Sequence, residues 1–448
     1  MIRLYDTALG RQVGLSLREP GRLSMYVCGP TVYDLPHVGH GRHVLVYDVL
    51  RRYLEWSGIE VHHVSNITDI DDKIIDRAAR DGREVLEVAA EFEEAWYAAV
   101  DRLGVLRPHS DPHATAYVDD MVTLVARLVE TGHAYATDEG VYLAVDQVPG
   151  YGLLARQPLE SLRSGARVDV VAAKRSPLDF ALWKSVKPGE PSWESPWGPG
   201  RPGWHTECVV MSLDLLGEDF DLHAGGLDLA FPHHENERAQ AVALGRPFSR
   251  RWMHHAFVEV GGEKMSKSLG NFTTLTELLA TNDPRAYRML VLQSQYRKPM
   301  EVTGATLDSA TRALAALDDF ARRTADLAAT PPDGAALDAF RSRMDDDLDT
   351  PGVVADLADL RRRANACLDA RDDNGAAPLA AAVREITSTV GVSLLTETAV
   401  PADVAARLVE RDEARARRDW EAADTIRRRL EGDGWTVKDT PAGTQVHR

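Results

Sequence analysis

The chain has 448 residues, a formal net charge of −17, and 44% apolar and 27% charged residues; a length of this order predicts about three domains. The acidic balance argues against generalised nucleic-acid binding, which leaves a basic footprint, but it leaves room for a local basic face. No apolar run approaches the ~20 residues of a membrane span, Met1–Asp6 has no apolar signal-peptide core, and three scattered cysteines make no disulfide framework, so the composition predicts a cytoplasmic protein with no membrane partner.

Arg22–Cys28 reads as a strand ending at Gly29-Pro30. Pro36 is expected in the first turn of a helix, where its fixed φ is tolerated. Leu45, Val49, Leu50, Tyr53 and Leu54 then recur at helical spacing until Gly58. Ile59–Val64 reads as the next strand, and strand–helix–strand implies a parallel sheet whose ligands bind beyond the carboxyl ends of its strands. Residues 84–135 read as helical, and the Pro- and Gly-rich stretch beyond them as an insertion between two halves of a nucleotide fold. The sheet is expected to resume at Phe220–His223, with a helix over His233–Leu244. A long Ala-, Leu- and Arg-rich helical region precedes two final helices and a hairpin around Pro441-Ala442-Gly443. The expected division is 1–110 and 201–250 for the two halves of the catalytic domain and 111–200 for the connective insertion. Residues 251–303 are a stem-contact region, 304–398 a helical bundle and 399–448 a C-terminal region.

Two strings carry the chemistry. Pro36-His37-Val38-Gly39-His40 falls at the first crossover. His37 and His40 are three apart and share one face of a helix; Gly39 lets a flat base approach the backbone; and a helix N-terminus suits phosphate. Lys264-Met265-Ser266-Lys267-Ser268 sits between Gly261-Gly262 and Gly270. Its two ammonium groups suit a departing pyrophosphate, and glycine hinges suit a closing loop. Gly225-Gly226-Leu227-Asp228 offers a carboxylate for a ribose and glycines that admit a nucleotide, although an ordinary loop explains it equally well.

Cys28, Cys208, His233 and Glu237 are candidate metal ligands: two sulfurs, a nitrogen and an oxygen suit zinc, and His233 and Glu237 are four apart. Their dispersion is weak support by itself, since lone buried cysteines are common. Asp69, Asp71 and Asp72 read as a hydrogen-bonded or solvated loop, and Cys367 as a packed core residue. Arg415, Arg417, Arg418, Arg427, Arg428 and Arg429, with Trp420, Trp435 and His447, suit either RNA or a helix surface of Arg–Glu pairs.

The two strings resemble the signatures of class I aminoacyl-tRNA synthetases. Met25–Asp34, Asn66–Lys73, Gly203–Cys208, Phe231–Glu237 and Gly262–Ser268 together resemble the cysteinyl-tRNA synthetase family across essentially the whole chain. The resemblance implies an α/β protein: a Rossmann-like parallel-sheet catalytic domain split by an insertion, then an α-helical bundle and a small mixed C-terminal domain. It implies activation of L-cysteine with ATP and Mg2+ and transfer to tRNA(Cys). One Zn2+ per chain, on Cys28, Cys208, His233 and Glu237, would bind the substrate thiolate and select against serine. His37, His40, Lys264 and Lys267 become catalytic, with Gly39, His40, Gly226, Asp228 and Lys267 binding ATP. Thr68, Trp204 and His223 line the cysteine pocket, the last 50 residues read the anticodon, and the protein is a monomer. His255-Ala256 stands where the family usually has Asn-Gly, and Asp349 where it has Asn, a change a helix cap tolerates. A mycothiol-type ligase joining cysteine to an amino sugar is the alternative enzyme, and a non-catalytic tRNA- or cysteine-binding paralogue the alternative of another class.

Overall fold

A computed structural model describes residues 2–157, 173–260, 263–264, 273–396, 401–440 and 443–447. It forms two units, Met1–Ala315 with Ala329–Ser393, and Ala316–Ala328 with Leu394–Arg448.

The larger unit opens with a hairpin of β1 (Arg3–Asp6) and β2 (Arg11–Gly14). β3 (Arg22–Val27), α1 (Val38–Trp56) and β4 (Glu60–Ser65) then make a parallel strand–helix–strand unit. α2 (Asp72–Asp81), α3 (Val85–Arg102) and α4 (Val118–Glu130) lead to an antiparallel sheet. Its strands are β5 (Ala134–Thr137), β6 (Gly140–Leu143), β7 (Phe180–Ser185) and β8 (Gly200–Pro202), in that order. α5 (Trp204–Leu216), β9 (Leu222–Gly226), α6 (Glu235–Ala243) and β10 (Trp252–His255) return the chain to the parallel sheet, whose order is β10-β9-β3-β4. β3 is central and buried from Leu23 to Val27, as a strand covered on both faces must be. β11 (Val258–Val260), β12 (Glu263–Lys264) and β13 (Met300–Glu301) form a small third sheet. Between β12 and β13 lie α7 (Leu275–Thr281) and α8 (Pro284–Leu292). α9 (Gly304–Arg323) is shared between the units. α10 (Gly334–Asp345), α11 (Thr350–Asp369) and α12 (Asp373–Thr389) pack together as a bundle.

The smaller unit holds α13 (Ala402–Ala416), α14 (Trp420–Gly432), β14 (Thr436–Thr440) and β15 (Gly443–His447), around a core of Val404, Leu430, Trp435, Val437 and Val446. The hairpin is the one expected, and its turn at 441–442 lies outside the described residues.

Several sequence expectations change in detail. Helix α1 begins at Val38 with His37 as its N-cap, so Pro36 precedes the helix instead of opening it. The helical stretch 84–135 is broken after Arg102: Gly104 takes φ +65°, a left-handed conformation that ends α3, and the chain is already a strand at Ala134. Gly225 and Gly226 are strand residues, paired with His254 and His255, and not a turn. Cys367 is half-buried and outside the core. Asp69 accepts from the Thr115 amide and hydroxyl, Asp71 caps α2, and Asp72 pairs with Lys184 and Arg201, so the acidic loop is hydrogen-bonded as expected. Asp349 caps α11 through the Gly352 amide at 3.0 Å.

One buried ion pair ties the sheet layer to α8 and α12. The Asp48 side chain of α1, fully buried, accepts from Arg288 of α8, from Arg52 Nε at 2.9 Å and from the Leu106 amide at 2.9 Å. Arg288 also donates to the carbonyls of Leu103, Gly104 and Val390. Gly391 takes φ +75°, and a Cβ there would lie 2.3 Å from Arg288 Nη1, so only glycine admits the guanidinium. Breaking a buried pair strands a charge in low dielectric. Asp48→Ala is therefore expected to destabilise the larger unit by about 3–5 kcal/mol, read as a lower midpoint in urea denaturation.

Candidate active site

Four separate elements deliver the metal-type donors. Cys28 follows β3, Cys208 lies on α5, His233 in the turn before α6, and Glu237 in the first turn of α6, where a carboxylate suits the helix dipole. Their exposures are 4%, 1%, 1% and 0%. The two sulfurs are 3.7 Å apart; Cys28 Sγ is 3.6 Å from Glu237 Oε1; Cys208 Sγ is 3.6 Å from His233 Nε2; and His233 Nε2 is 3.0 Å from Glu237 Oε1. One ligand atom from each lies within 4.8 Å of the others. Cys28, His223, His234 and Glu237 form a second such group, sharing two members with the first. His223 Nε2 is 3.5 Å from Cys28 Sγ, and His234 Nε2 is 3.2 Å from it.

Burial pushes the Cys28 thiol and the Glu237 carboxyl well up and the imidazoles of His223, His233 and His234 well down. Desolvation disfavours every charged form here. Glu237 Oε2 is buried and lies 3.2 Å from His223 Nε2 without the geometry of a hydrogen bond. Two thiols, neutral imidazole and an orphaned carboxylate oxygen fit a divalent cation, which makes deprotonated ligands favourable. The rings are held from behind, as metal-binding histidines are. His233 Nδ1 meets His205 Nδ1 at 2.9 Å, His234 Nδ1 meets His254 Nε2 at 2.8 Å, and His254 Nδ1 meets the Thr7 hydroxyl at 2.7 Å.

Beside this cluster lies a cavity of about 360 Å³. His37, Gly39, His40, Trp204, Gly226 and Asp228 line it, and so does Cys28. Gly29 stands at its edge because a Cβ there would lie 1.7 Å from the Asn66 carbonyl oxygen. His37 and His40 form a reciprocal cap: each Nδ1 accepts the other residue's backbone N–H, at 3.3 Å and 3.2 Å, and the rings stack at 3.7 Å. This bonding assigns each ring proton to Nε2. His37 is thus an N-cap, and its ring reaches that of His40 through the cap instead of along a helix face.

Residues that follow the second string bond to the backbone of the first. The Leu275 amide bonds to the Pro36 carbonyl at 2.7 Å, and the Val38 amide to that of Thr273 at 3.3 Å. The Lys264 backbone pairs with Glu259 in the sheet that follows the cavity-lining Phe257 and Val258. Lys267 lies among residues 265–272, outside the described residues. Of the expected cysteine pocket, Trp204 stacks on His233 at 4.0 Å and His223 faces the cluster. Thr68 is buried, its hydroxyl 3.0 Å from the Glu207 carboxylate and 3.1 Å from Asn66 Nδ2, while Asn66 Oδ1 is 3.7 Å from Cys208 Sγ.

Sequence reasoning passed over His43, Lys73 and Trp96, which also line the cavity. His43 lies three residues past His40 on α1, a spacing that was available to find it. Trp96 meets His40 edge-on at 5.5 Å; nothing local to its helix announces that.

In the smaller unit Trp435 is 5% exposed and part of the core, so it is not a stacking platform. Trp420 is 58% exposed. Arg415 pairs with Asp439, Arg417 with Glu413 and Arg427 with Glu431, whereas Arg418 and Arg429 are exposed. The side chain of His447 lies outside what is described.

Residues 15–312 match the family described as the tRNA synthetases class I (C) catalytic domain, and residues 339–395 match the DALR domain. A protein of Thioalkalivibrio sulfidiphilus named cysteine–tRNA ligase is 44% identical over 467 aligned positions, covering 100% of both chains. One of the same name from Halorhodospira halophila is 43% identical, again over 100% of both. Methionyl-tRNA synthetase of Mycobacterium tuberculosis, solved with methionyl-adenylate, shares the fold with a TM-score of 0.63 at 15% identity, over 82% of this chain and 89% of that one. Full-length identity of this order, with the catalytic-domain match across both signature strings, places the chain in the cysteine–tRNA ligase family of class I aminoacyl-tRNA synthetases.

Proposed function

We propose that the chain is a cysteine–tRNA ligase: it activates L-cysteine with ATP to cysteinyl-adenylate and pyrophosphate, then transfers cysteine to the 3′-terminal adenosine of tRNA(Cys). The observation that carries this is the double membership of Cys28, which belongs both to the buried donor cluster and to the wall of the cavity. A substrate held at the cluster by its sulfur has its carboxylate directed into the space for ATP. Cys28, Cys208, His233 and Glu237 are assigned to one zinc ion, since two thiolates make the softer of the two donor groups. Zinc supplies a preference for sulfur over oxygen and favours the thiolate.

The remaining roles belong to the chain itself. His37 and His40, with their protons on Nε2, donate to the phosphate oxygens as charge develops on them. Lys264 and Lys267 clamp the departing pyrophosphate, whose charge Mg2+ entering with ATP shares. Gly39 and Gly226 admit the nucleotide and Asp228 takes the ribose. Trp204, Thr68 and His223 shape the cysteine pocket, with Trp204 covering His233 and Thr68 ordering the Asn66 side chain behind Cys208. The smaller unit is assigned to the anticodon, through Trp420, Arg418 and Arg429. The enzyme acts as a monomer in the cytoplasm; among the described residues no helix is long and apolar enough to cross a membrane.

Cysteine-dependent ATP–pyrophosphate exchange tests the first step. A site built around a particular group rejects the analogue lacking it by roughly 10⁴–10⁵-fold. Serine is therefore expected to support exchange with kcat/KM lower by about that factor. Exchange absent with both amino acids would identify a non-catalytic binder. Protein purified without chelator is expected to hold one zinc per chain, and Cys208→Ala to hold well below one; equal content in the two would remove the zinc assignment. Incubation of the adenylate-forming enzyme with tRNA(Cys) or with glucosaminyl-inositol is expected to give charged tRNA only, and ligation to the amino sugar without charging would reassign the second substrate.

A further inference from the structure

Arg42 stands two residues past the first signature string, yet none of the roles above uses it. Its side chain is 1% exposed. No carboxylate approaches it among the described residues; the guanidinium instead donates to backbone carbonyls. Nη1 reaches those of Ala256 at 2.9 Å and Phe257 at 2.6 Å. Nη2 reaches those of Tyr296 at 3.1 Å, Lys298 at 2.5 Å and, more weakly, Gln295 at 3.4 Å. Nε has no partner. Burial pulls the group down to about 10, so it remains charged at neutral pH.

This arrangement is costly as a mere packing device. A buried charge with only neutral acceptors is stable only where the geometry holds many dipoles on it at once. What the carbonyls have in common is their position. Ala256 and Phe257 follow directly on β10, and Phe257 lines the cavity next to His255 and Val258. The same segment continues through β11 into the strand that carries Lys264. Residues 295–298 lead into β13, which pairs with β11. The neighbouring side chain on α1 adds a second strut: His43 Nδ1 lies 3.1 Å from His255 Nε2, and His255 Nδ1 donates to the Ala256 carbonyl at 2.9 Å. Helix α1 therefore presents His37 and His40 at its first turn and, directly after them, grips the wall that leads to the second signature. Carbonyl geometry of this kind suits the planar fork of arginine and cannot be matched by the three donors of a lysine.

We propose that Arg42 is a positioning residue for adenylation: it fixes the 255–260 wall of the nucleotide cavity, and with it the strand carrying Lys264, against the helix that presents His37 and His40. It touches no substrate and acts through backbone carbonyls. The idea rests on the function proposed above for its kinetic consequence, but its structural half stands apart from that function.

The test pairs two readouts on Arg42→Met and Arg42→Lys. Amide hydrogen exchange is followed over 255–260, with and without ATP, and cysteine-dependent ATP–pyrophosphate exchange is measured alongside zinc content. Displacement of catalytic groups by about 1 Å costs on the order of 10²-fold. Arg42→Met is expected to speed amide exchange in 255–260 and to lower kcat by about 10–100-fold. KM for cysteine and the zinc content are expected to stay within twofold, because the thiol site lies elsewhere. Arg42→Lys is expected to fall between that variant and the parent, and it carries the test if Arg42→Met does not fold. A folded variant with parental amide exchange in 255–260 overturns the proposal. So does a loss confined to melting temperature with kcat unchanged, or one that falls on the KM for cysteine. A parent that lacks pyrophosphate exchange overturns the function instead, and the amide-exchange comparison then decides the clamp by itself.

Discussion

The whole arrangement depends on keeping Cys28, Cys208, His233 and Glu237 together out of water. Each comes from a different element, and burial alone pushes the Cys28 thiol and the Glu237 carboxyl toward their neutral forms. Neutral groups do not attract one another strongly, so the protein must hold them there by other means. It does so with rigid supports: the buried end of β3, the second turn of α5, and a short i,i+4 link between His233 and Glu237. Behind them, His205, His254 and Thr7 fix the rings, and Asn66, Thr68 and Glu207 make a second buried polar network beside Cys208. A cluster preorganised in this way spends little further order when a cation enters. It also explains why so many polar residues in the catalytic half are buried without a charged partner.

Helix α1 extends the same logic to the nucleotide side. Its burial runs nearly all round, with Arg42, Asp48 and Arg51 among its buried residues. An ordinary surface helix has one apolar stripe and one wet face. Here the polar residues are accepted inside because each is bonded: Asp48 to Arg288, Arg42 to carbonyls, and the Tyr47 hydroxyl to the Gly225 carbonyl at 2.6 Å. The His43 ring meets that of His255 at the end of β10, Nδ1 to Nε2 at 3.1 Å. One helix thus fastens the carboxyl ends of β9 and β10, the place where a parallel sheet binds its ligand. The cavity is defined at that edge because the two strand ends share one anchor.

What the sequence made legible follows from how local each signal is. The parallel unit from Arg22 to Val64, the final hairpin, the Asp349 cap and the His233–Glu237 pair are all carried by residue type and short spacing. The coming together of Cys28 and Cys208 is not local; residue type suggested it and the family resemblance specified it. Arg42 and Trp96 were illegible because their partners are distant backbone carbonyls and a ring on another helix. Trp435 and Cys367 erred in opposite directions for one reason. A tryptophan near arginines and a cysteine among alanines carry no sign of which face is covered, and only packing shows that Trp435 is inside and Cys367 at the margin. Gly225-Gly226 looked like a turn because glycines favour turns, whereas here they leave room at the end of a strand pressed against β10.

On the proposed reading, activation and selection use different physics in adjoining spaces. Adenylation is asked of groups that are common to class I signatures and would serve many amino acids: paired histidines at a helix cap, lysines on a glycine-flanked segment, a helix N-terminus. None of these distinguishes sulfur from oxygen. Selection is asked of a dry donor cluster whose Cys28, Cys208, His233 and Glu237 would hold a cation that prefers sulfur to oxygen. Because the two spaces touch at Cys28, a hydroxyl in place of the thiol loses the contact that directs its carboxylate toward ATP. Discrimination then appears in the first chemical step and not only in binding. That placement fits a chain whose expected insertion holds helix α4 and a four-stranded sheet among the described residues, since an enzyme that rejects the wrong substrate before adenylation has less need of a second site to remove it afterwards.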